Sequence, residues 1–187
     1  MKFLTRTLWT ASLQGIRRRS LALSQVCLFL TLTLPLGLTL YWVLADAPVL
    51  LQQFGVRADA LLKPLQPWQR VAGFAITGVP LALLLMGLQR ARQSLVQFAS
   101  GELFSRRAVR GVQQFAAWVA ASVVAGVLAQ VACSALLTWG NPPGMRQLVL
   151  SLTTDVLFTL LFAAMVTLMA SVVGQAQALA EENARFV

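Results

Sequence analysis

The chain has 187 residues, of which 58% are hydrophobic and only 11% are charged, and its formal net charge is +9. A soluble domain typically contains about 25% charged residues, so this chain has too little polar surface to cover a water-soluble core. It has no histidine, which excludes acid–base catalysis by histidine and metal sites built on histidine ligands.

Four long apolar segments dominate the chain, at about 21–45, 71–89, 114–139 and 148–173. A membrane-spanning helix needs about 20 predominantly apolar residues to cross a hydrocarbon core of roughly 30 Å. We therefore expect an all-α integral membrane four-helix bundle, formed by a single transmembrane domain over residues 21–187.

The basic residues predict the orientation of this bundle. In a four-span chain, eleven of the 15 Lys and Arg residues fall on one side and four on the other. Because cytoplasmic loops carry an excess of Lys and Arg, both chain ends are predicted to be cytoplasmic. The expected partner of the positive charge is anionic lipid rather than nucleic acid. The four residues on the outer side are Arg57, Lys63, Arg70 and Arg146.

Residues 1–20 form the first predicted element. Leu4, Leu8 and Leu13 share one face of a helix, and basic residues such as Lys2 and Arg6 accompany them. This pattern predicts an amphipathic helix on the cytoplasmic leaflet. A disordered basic tail is the alternative interpretation.

The outer loop, residues 46–70, contains a second amphipathic pattern. Leu50, Leu51 and Phe54 share one face of a 3.6-residue period, and Gln52 and Gln53 lie on the other. We expect a short helix here, half sunk in the outer headgroups.

The second, third and fourth long helices are predicted to extend into the cytoplasm. A tight hairpin turn at 100–105 separates the second from the third. The fourth helix is predicted from about Met145 towards Asn183, which is nearly twice the length that a membrane needs. Its residues 174–187 therefore form a cytoplasmic helical tail.

Asp155 is the only acidic residue within a predicted span, so we expect it to face the bundle and to have a partner. Gln130 falls at about the same depth on the third span and is predicted to donate a hydrogen bond to it. Small and polar residues near this pair extend the predicted intramembrane polar cluster, which also contains Ser134, Ser151 and Thr159. The cluster is interpreted either as a lock between two helices or as an ion-linked site.

A second cluster of charges is predicted at the cytoplasmic ends of the helices. Antiparallel neighbours would bring the start of the third helix and the end of the fourth to the same side of the membrane. This arrangement predicts an ion-pair cluster or a docking surface for a cytoplasmic partner. Its members are Glu102, Arg106, Arg107, Arg110, Glu181 and Glu182.

No enzymatic motif occurs in the chain. There is no metalloprotease, nucleophile-elbow, phosphate-loop or paired-cysteine motif. We therefore expect no catalytic, metal-binding or cofactor-binding residues, and a protein that is not an enzyme.

Two stretches, 98–105 and 178–187, resemble the bacterial membrane family known as domain of unknown function 2975. Its members have a G-x-x-F-S turn before the third span, matched here by Gly101, Phe104 and Ser105. They also have an acidic ending, matched here by Glu181, Glu182, Asn183 and Val187. The resemblance implies a four-span inner-membrane fold without a known reaction. It also implies a small cytoplasmic helix-turn-helix regulator as partner.

The function expected from these observations is contact with another protein at the cytoplasmic face, as a membrane tether or regulator. The alternative is a small transporter or channel subunit that uses Asp155 and Gln130, as a homo-oligomer.

Overall fold

The computed structural model describes residues 2–57, 64–100, 106–142 and 144–185. These residues form five α-helices and no β-strand, which confirms the all-α prediction. The helices are α1 (Lys2–Leu44), α2 (Ala47–Gln53), α3 (Pro67–Ala99), α4 (Arg106–Leu137) and α5 (Thr154–Arg185).

Four of these helices are long and apolar enough to cross a membrane. The qualifying segments are Arg17–Leu44, Pro67–Gln97, Val109–Leu137 and Thr154–Ala176. Each overlaps one of the four apolar segments seen in the sequence, because length and hydropathy are local properties that tertiary contacts do not change.

Helix α1 differs from the prediction in its continuity. It runs for 43 residues from Lys2 to Leu44 without a break near residue 20. The predicted N-terminal segment is therefore part of the same helix as the first apolar segment. The helix contains no proline before Pro35 that would remove a backbone hydrogen bond. Gly15 has a low helix propensity, but a single glycine does not end a helix.

Helix α5 begins at Thr154, nine residues later than the predicted start at Met145. Residues 145–153 are not helical, so the predicted span over 148–173 is wrong at its first six residues. The contacts that hold this segment away from a helix are described with the site below.

The short helix α2 ends in a hydrogen-bond pattern that requires glycine. Gly55 N–H donates to Gln52 O at 3.0 Å and Val56 N–H donates to Leu51 O at 2.9 Å, the pairing of a Schellman motif. Gly55 has a positive φ of 71°, where a Cβ is unfavourable. The turn brings Val56 back over Leu51, and both side chains are buried.

The described contacts divide the chain into two compact units. The basic-end unit comprises Met1–Thr31, Leu85–Trp118 and Phe162–Val187, and the loop-end unit comprises Leu32–Leu84 and Val119–Leu161. The basic-end unit contains eleven basic and three acidic residues, and the loop-end unit contains four and three. The contact division therefore coincides with the charge division read from the sequence.

The hydrophobic core lies in the loop-end unit. Its members include Trp42 from the end of α1, Leu50 and Leu51 from α2, Phe54 from the turn after α2, and Leu137 from the end of α4. Leu50 and Leu51 have no exposed surface. The expectation that this apolar face sinks into lipid headgroups is therefore wrong, because the face packs against protein instead.

In the basic-end unit, only small side chains are buried among the described residues. They are Ser20, Ser24, Ser94, Ala116, Ala163 and Ala170.

Candidate functional site

The N-terminus of α3 caps the ends of two other helices in the loop-end unit. Arg70 Nη1 donates to Trp42 O at 2.9 Å, near the end of α1, and Gln69 Nε2 donates to Leu136 O at 2.9 Å, near the end of α4. The last carbonyls of a helix have no intrahelical donor, and a cation at that end also complements the helix dipole. Two consecutive side chains thus tie α1 and α4 to α3.

Gln69 also stabilises the start of its own helix. Its Oε1 accepts a hydrogen bond from Gln66 N–H at 2.9 Å, which is the reciprocal contact of a capping box. Pro67 follows at the first helical position, where its missing N–H removes no hydrogen bond.

Trp42 is the centre of the loop-end core. Its Nε1 donates to Thr77 Oγ1 at 2.9 Å, and its ring stacks on Phe54 with centroids 6.0 Å apart. Gly73 of α3 lies directly against the indole, because a Cβ at this position would overlap the ring. These contacts hold α1, the turn after α2, and α3 together.

An apolar cavity of about 480 Å³ opens beside Trp42. Its walls come from α1, the end of α2 and α3, and include Gly37, Tyr41, Gln53, Phe54, Thr77 and Leu81. The Tyr41 hydroxyl is buried and has no hydrogen-bond partner among the described residues. The volume is in the range of small-molecule sites, and the lining is mainly apolar with a few polar groups.

Two hydroxyls at the end of α4 hold the segment that precedes α5. Ser134 Oγ accepts from Val149 N–H at 3.0 Å, and Thr138 Oγ1 accepts from Gln147 N–H at 3.1 Å. Four residues along a helix cover about 6 Å, and two residues along an extended chain cover about the same distance. The two spacings match, so residues 147–149 run along α4 in an extended form.

Side-chain exposure along this segment has a period of two. Leu148, Leu150 and Leu152 are exposed, whereas Val149 and Ser151 are partly buried. That alternation is typical of an extended chain with one face against protein. Val149 reaches across to Gly55, where an added Cβ would lie 2.9 Å from Val149 Cγ1.

This segment overturns the predicted Gln130–Asp155 pair. Because α5 begins at Thr154, Asp155 lies in its first turn, where it is exposed, rather than about two turns inside a span. Gln130 is seven residues before the end of α4, a depth of about 10 Å. No hydrogen bond joins the two side chains in the described part of the chain.

The other members of the predicted polar cluster take part in different contacts. Thr159 Oγ1 donates to Asp155 O within its own helix at 2.7 Å, and Ser134 is completely buried against the extended segment. Ser151 is partly buried near Gly55. The described hydrogen bonds therefore do not join the five residues into one network.

Helices α3 and α4 approach closely in the basic-end unit. Ser94 of α3 lies over Gly111 of α4, where a Cβ would overlap the serine hydroxyl. Gly87 of α3 lies under Trp118 of α4, where an added Cβ would be 3.1 Å from Trp118 Cβ. Small residues of this kind allow two helix backbones to approach.

Helix α5 joins this pair through a polar contact. Gln113 Nε2 of α4 donates to Ser171 Oγ of α5 at 3.1 Å. A hydrogen bond between helices is typical of contacts inside membrane bundles.

A polar cavity of about 230 Å³ lies beside the Ser94–Gly111 contact. Helix α3 contributes Arg90, Gln93, Ser94 and Gln97, and helix α4 contributes Arg110, Gly111 and Gln114. Every lining residue except the glycine has a polar side chain. Gln97 Oε1 is buried without a hydrogen-bond partner, which costs about 1–3 kcal/mol unless a bound donor satisfies it.

The predicted cytoplasmic charge cluster lies largely outside the described residues. This applies to Glu102 and to the side chains of Arg106, Arg107, Glu181 and Glu182. Arg110 is described, and it lines the polar cavity together with Arg90.

Sequence reasoning missed three features: the caps from Gln69 and Arg70, the hydroxyl contacts of Thr138, and the polar cavity. The glutamines of α3 and α4 were a sequence signal for the third. No cluster of three His, Cys, Asp or Glu side chains that could hold a metal ion occurs among the described residues. Comparisons with protein-family models, curated proteins and solved structures find no match for this chain.

Proposed function

We propose that the chain is a multi-pass protein of a bacterial inner membrane, with both ends in the cytoplasm. Four helices have the length and hydropathy to cross a bilayer. The eleven-to-four division of basic residues supports this orientation, because Lys and Arg are enriched in cytoplasmic segments. Membership of the family of domain of unknown function 2975 is part of this proposal and is supported by the two matching motifs.

Its function, in this proposal, is contact with another protein at the cytoplasmic face, as a tether or regulator without enzymatic activity. The observation that carries this is the length of α3, α4 and α5, which have 33, 32 and 32 residues. A hydrocarbon core takes about 20 residues, so roughly 12 residues of each helix, or about 18 Å, remain outside it.

The parts of these helices that exceed the length of a membrane crossing carry polar residues in the basic-end unit. The last part of α3 carries Arg90, Arg92 and Gln97, and the first part of α4 carries Arg110. Polar helices outside the bilayer that serve no crossing provide surface for a partner. The family resemblance implies a small helix-turn-helix protein as that partner.

The transporter alternative has less support. It relied on an intramembrane pair of Asp155 and Gln130, and Asp155 is exposed in the first turn of α5. A cysteine at Ser151 or Thr159 would still test it by labelling from the outer side.

Orientation is tested by reporter fusions. Fusions at both chain ends should report a cytoplasmic location, and insertions after Arg57 and Gly140 should report the opposite side. Chain ends on opposite sides, or extraction of the protein by carbonate without detergent, would contradict the proposed topology.

Contact is tested by photo-crosslinking in cells. A photoreactive amino acid at the exposed Gln175 should give a discrete adduct with one cytoplasmic protein, identified by mass spectrometry. The matched control is Gln52, an exposed glutamine of the segment proposed to lie outside the cell, which should give no such adduct. Absence of an adduct at Gln175 and at the exposed Ser100, at the end of α3, would reject contact at this face.

A further inference from the structure

The polar cavity between α3 and α4 combines positive charge with hydrogen-bonding groups. Arg90 and Arg110 line it from opposite helices. Neither guanidinium has a hydrogen-bond or ion-pair partner among the described residues. A guanidinium presents five N–H donors in a planar fork, which matches the oxygens of a phosphate group.

The remaining groups of the cavity are neutral and polar. The amides of Gln93 and Gln114 supply additional donors, and the buried Oε1 of Gln97 is an acceptor without a donor. A ligand that complements this set presents anionic oxygens to the arginines and a hydroxyl group to Gln97.

We propose that this cavity binds a phosphate ester that also carries hydroxyl groups, with the phosphate held between Arg90 and Arg110. A phosphoglycerol group has both features. It is available as the headgroup of phosphatidylglycerol or as a soluble glycerol phosphate.

The lipid source follows from the depth of the cavity and rests on the membrane placement proposed above. Arg90 is the first residue after the apolar segment 71–89. Headgroup layers add about 5–7 Å on each side of the hydrocarbon core, which is roughly four residues of helix. Arg90 and Gln93 therefore lie at headgroup depth, and the cavity continues towards Gln97.

The experiment measures two ligands with purified full-length protein. Native mass spectrometry of protein in an equimolar mixture of phosphatidylglycerol and phosphatidylcholine gives lipid retention. Calorimetry with glycerol 3-phosphate, on protein in phosphatidylcholine nanodiscs, gives binding of the soluble ligand. Preference for phosphatidylglycerol supports the lipid source, and binding of glycerol 3-phosphate alone supports the soluble source.

The variants are Arg90→Gln and Arg110→Gln, with Arg92→Gln as the matched control. Arg92 is exposed on the same helix and does not line the cavity. Loss of one charge-assisted contact is expected to weaken binding about tenfold in either cavity variant. Arg92→Gln should change it less than about twofold, since a surface charge near the site acts only through screened attraction.

Two results would overturn the proposal. One is an equal loss of binding in Arg92→Gln and the cavity variants, which indicates general attraction of anions to the basic end. The other is the absence of binding of both ligands to the wild-type protein.

Two further variants keep the test valid if a charge change disturbs folding. Arg90→Lys keeps the charge but loses the planar fork, so binding should fall several-fold while helicity is unchanged. Gln97→Leu should reduce the preference for phosphatidylglycerol over phosphatidic acid, which lacks the hydroxyl groups. If the proposed membrane topology is contradicted, the glycerol 3-phosphate measurement can be repeated in detergent. It then tests binding at the cavity independently of the topology.

Discussion

The loop-end and basic-end units are built from the same apolar helices but are packed differently. The loop-end unit buries Trp42, Leu50, Leu51 and Leu137 and adds side-chain caps from Gln69 and Arg70. In the described part of the basic-end unit, the buried side chains are alanines and serines. Large interlocked side chains fix one arrangement of helices, whereas small ones allow close approach and leave room beside it for a polar cavity.

This difference has a physical consequence for function. A core of large side chains loses many contacts when one is removed, so the loop-end unit is expected to be the more stable of the two. The basic-end unit has fewer such contacts and carries charge that a ligand or partner can use. We therefore expect mutations in the loop-end unit to affect stability and mutations in the basic-end unit to affect binding.

The largest expected effect is that of Trp42→Ala. It removes the ring packed on Phe54 and the hydrogen bond to Thr77, and leaves a cavity. We expect a loss of about 3–5 kcal/mol in the free energy of unfolding, measured by denaturant titration in detergent. Trp68→Ala is the control, because that ring is exposed, and it should lose less than about 1 kcal/mol. Equal losses in both variants would contradict a core centred on Trp42.

Removal of the hydroxyls that hold the extended segment should have the next largest effect. Ser134→Ala and Thr138→Val each leave a backbone N–H, of Val149 or Gln147, without its acceptor. We expect about 1–3 kcal/mol for each, with faster hydrogen exchange at residues 147–149. Thr159→Val is the control, because its hydroxyl bonds only within α5. Unchanged exchange at these amides in both variants would show that the hydroxyls do not hold the segment.

Glycine-to-alanine substitutions at the helix contacts compare the packing of the two units directly. Gly73→Ala drives a Cβ into the indole of Trp42, which is held by Phe54 and by its hydrogen bond to Thr77, and should cost about 1–3 kcal/mol. Gly111→Ala meets mainly the hydroxyl of Ser94, which can rotate away, so we expect less than about 1 kcal/mol. Gly78→Ala has open space and should be neutral or slightly stabilising. A larger loss in Gly111→Ala than in Gly73→Ala would reverse the comparison.

The smallest expected effect is that of Asp155→Asn. The carboxylate is exposed in the first turn of α5, where it interacts favourably with the positive end of the helix dipole. We expect a loss of about 0.3–1 kcal/mol in unfolding free energy, reduced by salt. A larger loss that persists at high salt would instead indicate a buried partner.

Much of the fold was predictable from sequence because the length and hydropathy of a segment are local properties. Backbone groups in lipid must bond within their own segment, so 20 apolar residues predict a helix without knowledge of its neighbours. The four long helices overlap the predicted segments for this reason. The same rule failed for residues 148–153, of which four are apolar and none is helical, because Ser134 and Thr138 supply hydrogen-bond acceptors to this part of the chain.

The candidate site was less predictable because it depends on register between helices. The depth of Asp155 was mispredicted because the fourth helix was expected to begin nine residues too early. Nine residues correspond to about 13 Å along a helix axis. The polar cavity requires that Gly111 lie opposite Ser94, which brings Arg90 and Arg110 to the same opening. Spacing along one helix does not predict which residue of another helix it meets.

The sequence alone determined the all-helical class, the four apolar segments and the unequal distribution of basic charge, since these follow from hydropathy and composition within each segment. Tertiary structure decided which side chains meet: Trp42 on Gly73, Gln69 and Arg70 on two helix ends, and two arginines around one cavity. The physical reason is that hydropathy is a property of a segment, whereas packing and hydrogen bonding between helices depend on rotation and depth, which only the folded chain defines.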